Sequence, residues 1–296
     1  MTDIVKAYIK EKRSTLSDSS ITTYASVLKS LYKKVFGEGK IDWDNFKDTK
    51  KVLGFLKDTP PNRRKTILSA LVIVTNDESY REQMLSDVRE YNKDISKQEK
   101  TPEQEANWID TAQVKTVFDA VKADACALMK KKVALKPVEL QEIQNYVILA
   151  LLGGVFIPPR RSKDYCDFKI KNIDEKKDNY MKKGKLVFNS YKTAKTYGTQ
   201  EVDIPKPLQQ ILNAWCKINP TDFLLFDSNM SHLTPVKLNQ RLNKIFGNKK
   251  IAVNSLRHSY LTGKYAEHSK VDKELAEDVR EMGTSKQMLT TYVKND

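Results

Sequence analysis

The chain has 296 residues, of which 40% are hydrophobic and 30% charged, with a formal net charge of +14. That is enough apolar material for two domains or one large one, and the mean hydropathy of −0.58 suits a protein that folds in water. The longest apolar run, residues 146–157, is too short to cross a bilayer, and three scattered cysteines with three histidines offer neither a disulfide framework nor a zinc spacing.

Residues 3–13 read as a short helix. Over 17–36, Ser and Asp capping signals precede Tyr24, Val27, Leu28, Leu31 and Val35 at helical spacing, and "GEGK" at 37–40 breaks the pattern. A short helix over 46–57 is ended by "TPPN". Residues 63–76 form a helix that is basic at its start and apolar afterwards, and 78–95 continues in helical style. Residues 1–95 therefore read as a compact helical bundle. Residues 96–107 are polar, contain one proline and almost nothing apolar, and read as an interdomain linker.

A second domain, 108–296, opens with a helix over 108–132, where Val114, Val117, Phe118, Val121, Ala125 and Leu128 form a stripe. The helix over 137–156 is apolar on most sides, which predicts a central position. Alternation of apolar and polar residues over 166–174 and 184–205, with Gly184 and Gly198 as punctuation, predicts a small antiparallel sheet. Helices follow over 206–219, 234–247, 253–268 and 273–283. The expected fold class is mainly α with a small antiparallel β-sheet.

Positive charge is spread along the chain. Residues 1–100 carry 20 Lys and Arg against 15 Asp and Glu, and residues 101–296 carry 32 against 23. A basic excess in both halves points to a polyanion touching both, most often nucleic acid. A Lys-rich solubility surface is the bland alternative.

Three segments draw attention by their order. In "GGVFIPPRRSKDYCDFKI" (153–170) an arginine pair leaves the most apolar helix just before a strand. Arginine is costly to bury unless paired, so it faces either a carboxylate such as Asp164 or an external anion. In "NSLRHSYLT" (254–262), Asn254 and Arg257 are three residues apart and share a helix face. In "MGTSKQMLTTY" (282–292) the segment ends in Tyr292.

In this order the boxes resemble those of the tyrosine recombinases, or phage-type integrases, and the resemblance spans nearly the whole chain. The family has an arginine, a lysine in a β-hairpin, His-x-x-Arg, a His or Trp, and a nucleophilic tyrosine close to the C-terminus. A small helical DNA-binding bundle precedes its α+β catalytic domain. The family's acidic residue three after the first arginine matches Arg161 with Asp164, and Arg160 is the alternative. The hairpin lysine matches Lys192, with Lys195 next. The second arginine is Arg257. Asn254 stands where the family has His; it can donate to phosphate but cannot shuttle a proton. His258 follows Arg257 as in the family's common Arg-His pair, where a supporting role is implied. The His/Trp position falls on Thr284, with Lys286 as a substitute.

The resemblance implies a site-specific recombinase that cuts and rejoins strands through a 3′-phosphotyrosine on Tyr292, with no metal, cofactor or ATP. Two arginines would clamp the nonbridging oxygens and Lys192 would protonate the leaving 5′-oxygen. Expected DNA contacts are Arg63, Arg64, Lys65, Arg160, Lys195 and Arg241, in a C-shaped clamp around duplex DNA. The expected partners are double-stranded attachment sites and, for strand exchange, a homotetramer. No membrane or small-molecule substrate is expected. The N-terminus lacks a signal-peptide block, which implies the cytosol or nucleus, or a host's compartment. The "PPRR" run is similar to integrases of large DNA viruses and their satellite elements, which implies a mobile element and viral genome integration. Alternatives are a type IB topoisomerase, which uses a similar set of residues, and a DNA-binding protein of the same fold that has lost catalysis.

Overall fold

The structure is a computed structural model and describes residues 3–131, 133–247 and 249–282. The chain divides into two compact units, 1–100 and 101–296.

The first unit is helical. It comprises α1 (Ile4–Lys12), α2 (Asp18–Phe36), a 3-10 turn (Trp43–Lys47), α3 (Thr49–Leu56), α4 (Pro61–Thr75) and α5 (Glu78–Ser96). Side chains close the helix starts: the Asp3 carboxylate accepts from the Val5 amide and Ser17 Oγ accepts from the Ser20 amide. Ile9, Leu28, Phe46, Leu56, Leu68, Leu71 and Tyr80 are fully buried at its centre. Burying side chains of this size is worth roughly 1.5–3 kcal/mol each before the entropy of ordering them is counted.

The second unit contains α6 (Pro102–Ala106), α7 (Thr111–Met129), α8 (Pro137–Leu152), α9 (Ser162–Cys166), β1 (Phe168–Lys169), β2 (Asn179–Lys182), β3 (Lys185–Phe188), α10 (Ala194–Tyr197), β4 (Gln200–Asp203), α11 (Lys206–Ile218), α12 (Pro235–Ile245) and α13 (Val253–Glu281). The stretch read as linker thus includes a helical turn. Thr101 and Gln104 form a reciprocal capping box, and Pro102 at the first helical position fixes φ. Helix α8 is central, as its composition predicts: Ile143 and every residue from Val147 to Leu152 are fully buried. Gln144 lies among them, and its amide exchanges hydrogen bonds with the Phe226 backbone at 2.8 Å each way. That satisfies a polar group which would otherwise be costly in an apolar core.

The sheet has the order β1-β2-β3-β4. It is antiparallel from β2 to β4, as expected, while β1 pairs with β2 in parallel and makes the whole sheet mixed. The predicted strand over 166–174 shortens to Phe168–Lys169, because the chain leaves the sheet to bond Asp222: the Ile170 amide donates to its carbonyl at 2.8 Å. Strands β2 and β3 join through Lys183 and Gly184, both at positive φ, the backbone a tight right-twisting hairpin requires. Strands β3 and β4 instead join through residues 189–199, which hold α10.

Helix α13 is a single element where the sequence reading has two. Residues 269–272 contain neither Gly nor Pro, so nothing there stops the helix. Among the described residues, no helix is long and apolar enough to cross a membrane.

Candidate nucleic-acid-processing site

Helix α8 ends at Gly153 and Gly154. Gly154 has φ +72, and a Cβ there would lie 2.5 Å from the Tyr260 ring of α13. Only glycine allows both the left-handed turn and the close approach. The start of α13 therefore packs directly on the loop that carries Arg160 and Arg161. Three further contacts fix that start. Asn239 Oδ1 accepts from the Val253 amide at 3.2 Å, the Ser259 hydroxyl donates to the Ile109 carbonyl, and Gly263 passes so close to Thr111 that a Cβ would meet its methyl at 2.8 Å.

Arg160 and Arg161 have different surroundings. Arg160 donates from Nε to Asp164 Oδ2 and from Nη1 to Gln200 Oε1, both at 2.9 Å. Its guanidinium carbon lies 3.9 Å from the Phe188 ring centre and 5.2 Å from that of Tyr191. Arg161 forms the N-cap of α9, is half-buried, and makes no hydrogen bond or ion pair through its side chain among the described residues. Asp164, matched with Arg161 by its spacing, is ion-paired with Arg160 instead. Arg160 precedes the N-cap of α9 and reaches Asp164 within the helix. Asp164 is 2% exposed. Burial pushes its carboxyl up from the ordinary value, and the Arg160 charge opposes this only in part. Its second oxygen, Oδ1, has no hydrogen-bond partner among the described residues.

Lys192 and Lys195 lie exposed in the 189–199 connection and make no ion pair among the described residues. That connection is held at several points. Asn179, fully buried, donates to the Asp164 and Ser190 carbonyls at 2.9 Å and accepts from the Asn189 and Ser190 amides. The Tyr191 hydroxyl donates to the Gly198 carbonyl at 2.7 Å, and the Thr199 hydroxyl donates to Asn189 Oδ1 at 2.7 Å.

On α13, Arg257 Nη1 donates to Asn254 Oδ1 at 3.3 Å. Asn254 is exposed and Arg257 half-buried, whereas His258 is exposed and without a hydrogen bond among the described residues. Thr284, Lys286 and Tyr292 lie outside the described residues.

The other expected DNA contacts divide. Arg63 is exposed and forms no ion pair among the described residues. Arg64 is held inside the first unit: Nε and Nη2 grip Asp87 at 2.8 and 2.7 Å while Nη1 donates to the Lys57 carbonyl at 2.8 Å. Its donors point inward because Asp87 is fully buried and needs the charge. The Lys65 ammonium sits 3.2 Å from the Tyr91 ring centre. Arg241 donates to the Gln141 carbonyl and to Asn145 Oδ1 at 3.4 and 3.3 Å, and burial pulls its pKa down from the ordinary value. Sequence reasoning missed Gln200 and Asn179. The alternation of β4 offered a hint for Gln200, which shares the partly buried face of Val202; nothing marked Asn179.

No protein-family model matches the chain, and no curated protein matches it. Among solved structures it is similar to XerA recombinase, at 13% identity, with 88% of this chain and 83% of that one covered and a TM-score of 0.34. It is also similar to a lambda integrase dimer bound to a COC′ core site, at 12% identity, 89% and 92% coverage and a TM-score of 0.43. A lambda integrase tetramer bound to a Holliday junction aligns at 14% identity, 88% and 68% coverage and a TM-score of 0.44. These likenesses are distant.

Proposed function

We propose that the chain is a site-specific DNA recombinase that breaks and rejoins strands through a covalent phosphotyrosine at Tyr292. The supporting observation is the gathering of three segments far apart in sequence. The Arg161 loop lies against the start of α13, which carries Arg257, through Gly154 and Tyr260. The same loop meets the Lys192 connection through Arg160 and Tyr191.

In this reading Arg161 and Arg257 supply forked donors to the nonbridging phosphate oxygens, where negative charge grows in the transition state. Arg161 suits the task because its donors have no other ion partner among the described residues, whereas those of Arg160 do. The Tyr292 oxygen attacks phosphorus, and Lys192 gives its proton to the departing 5′-oxygen. The phosphodiester energy is kept in the tyrosyl ester, so a free 5′-hydroxyl can reseal the strand without ATP. Asn254 serves as an orienting partner: its amide oxygen accepts from Arg257 and its NH2 group is left to donate to phosphate. Exchange between two duplexes calls for four protomers.

The test is a suicide duplex whose cleaved fragment diffuses away and leaves the adduct trapped. Wild type is expected to give a denaturation-resistant protein–DNA band, and Tyr292→Phe none. A band that survives the substitution, or none from wild type, rules the reading out.

A further inference from the structure

We propose that Arg160 is a positioning residue that sets the leaving-group acid, Lys192, beside the phosphate-binding Arg161. The inference rests on the reading above and assigns Arg160 a task other than DNA contact.

Arg160 is adjacent in sequence to Arg161, and Tyr191 is adjacent to Lys192. The Arg160 guanidinium faces the Tyr191 ring at 5.2 Å, so each of the two reacting residues is the chain neighbour of one partner in this contact. Two nitrogens and the face of the guanidinium have partners that belong to this joint. Nε holds Asp164 of α9 and Nη1 holds Gln200 of β4. Phe188, stacked against the guanidinium, is the cross-strand partner of Gln200. Arg160 thus grips both ends of the 189–199 connection, at the last residue of β3 and the first of β4. A lysine ammonium on a flexible stem needs such a support, because proton transfer depends on holding donor and acceptor within hydrogen-bond reach. Asn179 joins α9 to the same connection through backbone groups, whereas Arg160 joins it through the residue next to Arg161.

Proton delivery can be tested apart from phosphate binding. On cleavage the Tyr292 oxygen forms a bond to phosphorus, the bond from phosphorus to the 5′-oxygen breaks, and that oxygen takes the Lys192 proton. The Tyr292 proton passes to water. If sulfur replaces the bridging 5′-oxygen, the leaving thiolate is stable without a proton and the acid becomes dispensable.

Adduct formation is measured on paired suicide duplexes carrying oxygen or sulfur at that bridge. The proteins are wild type, Lys192→Ala, Arg160→Leu, Gln200→Leu and Arg161→Ala. On oxygen, Lys192→Ala is expected to lose about 10²-fold or more, with losses in Arg160→Leu and smaller ones in Gln200→Leu. On sulfur all three should recover the wild-type rate, while Arg161→Ala should not. Gln200→Leu leaves the Arg160–Asp164 pair in place, so it reports even if Arg160→Leu does not fold. The proposal is overturned if Arg160→Leu and Gln200→Leu cleave oxygen substrate at the wild-type rate, or if folded forms of either stay slow on sulfur. It is also overturned if Lys192→Ala is not rescued, a result that leaves a Tyr292 adduct intact. Absence of any adduct from wild type on either duplex removes the recombinase reading itself.

Discussion

Two arginine pairs, Arg63–Arg64 in the first unit and Arg160–Arg161 in the second, read alike in sequence and share one division of labour. In each, one arginine is taken up inside the fold by a buried aspartate, Arg64 by Asp87 and Arg160 by Asp164, and its neighbour makes no ion pair among the described residues. The manner differs. Asp87 receives a two-pronged grip from Arg64 and a further bond from Gln83 at 2.9 Å. Burial alone would raise its pKa, but these donors outweigh burial and hold it below the ordinary value. Asp164 receives one bond from Arg160 and keeps one oxygen without a partner among the described residues, so burial wins and its pKa rises. The first pair is satisfied and acts as a structural tie. The second is only partly compensated and joins segments that carry the proposed chemistry. Buried charge with incomplete compensation is more frequent where function shifts a pKa than where a fold is merely held.

The largest expected effect that could break this comparison is at Asp87. Asp87→Ala leaves Arg64 facing a buried gap, and breaking such a pair costs about 3–5 kcal/mol; urea unfolding should show it. The pH dependence follows from the sign of each shift. Asp87, lowered on folding, contributes stability above its unfolded pKa, which is lost as pH falls through the folded one. Asp164, raised on folding, does the reverse: stability is lost as pH rises from the unfolded to the folded value. Unfolding curves of Asp87→Asn and Asp164→Asn across the acid range should therefore differ from wild type with opposite slopes.

Next in size, Arg161→Ala should slow adduct formation by about 10²–10³-fold, or about 2.7–4 kcal/mol of barrier, with unfolding unchanged. A matching loss of stability would mean that Arg161 is a structural tie like Arg64. A smaller effect separates Arg63 from Arg64 in DNA-binding titrations. Binding should weaken steeply with salt, and Arg63→Ala should reduce the slope of log affinity against log salt by about one. Arg64→Lys should leave that slope alone and lower stability instead. The smallest effect is at Lys65, whose removal from the Tyr91 face should cost about 0.5–1 kcal/mol.

Much of the helical order was legible because apolar spacing and caps are local signals. The buried α8 announced itself by being apolar on most sides, and the β2–β3 turn by Gly184. What escaped depends on tertiary partners. Nothing near "NRRK" shows that Arg64 turns inward; its partner lies 23 residues away. The assignment of Arg161 over Arg160 came from a spacing rule in the resemblance, which gave no reason for a second arginine. The reason lies in Gln200 and Phe188, which become neighbours only when β3 and β4 pair. Two helices are expected, over 253–268 and 273–283, yet with no breaker between them the helix runs on through Glu281. The parallel β1 was hidden because two residues carry no alternation to read.

The central claim is a covalent bond between Tyr292 and a DNA 3′-phosphate. The most direct measurement is mass spectrometry of the trapped adduct after nuclease and protease digestion. The account predicts one peptide, containing Tyr292, whose mass is raised by a residual nucleotide and whose fragments place it on the phenolic oxygen. A nucleotide on any other side chain, or no modified peptide from a duplex that the protein cleaves, would contradict it.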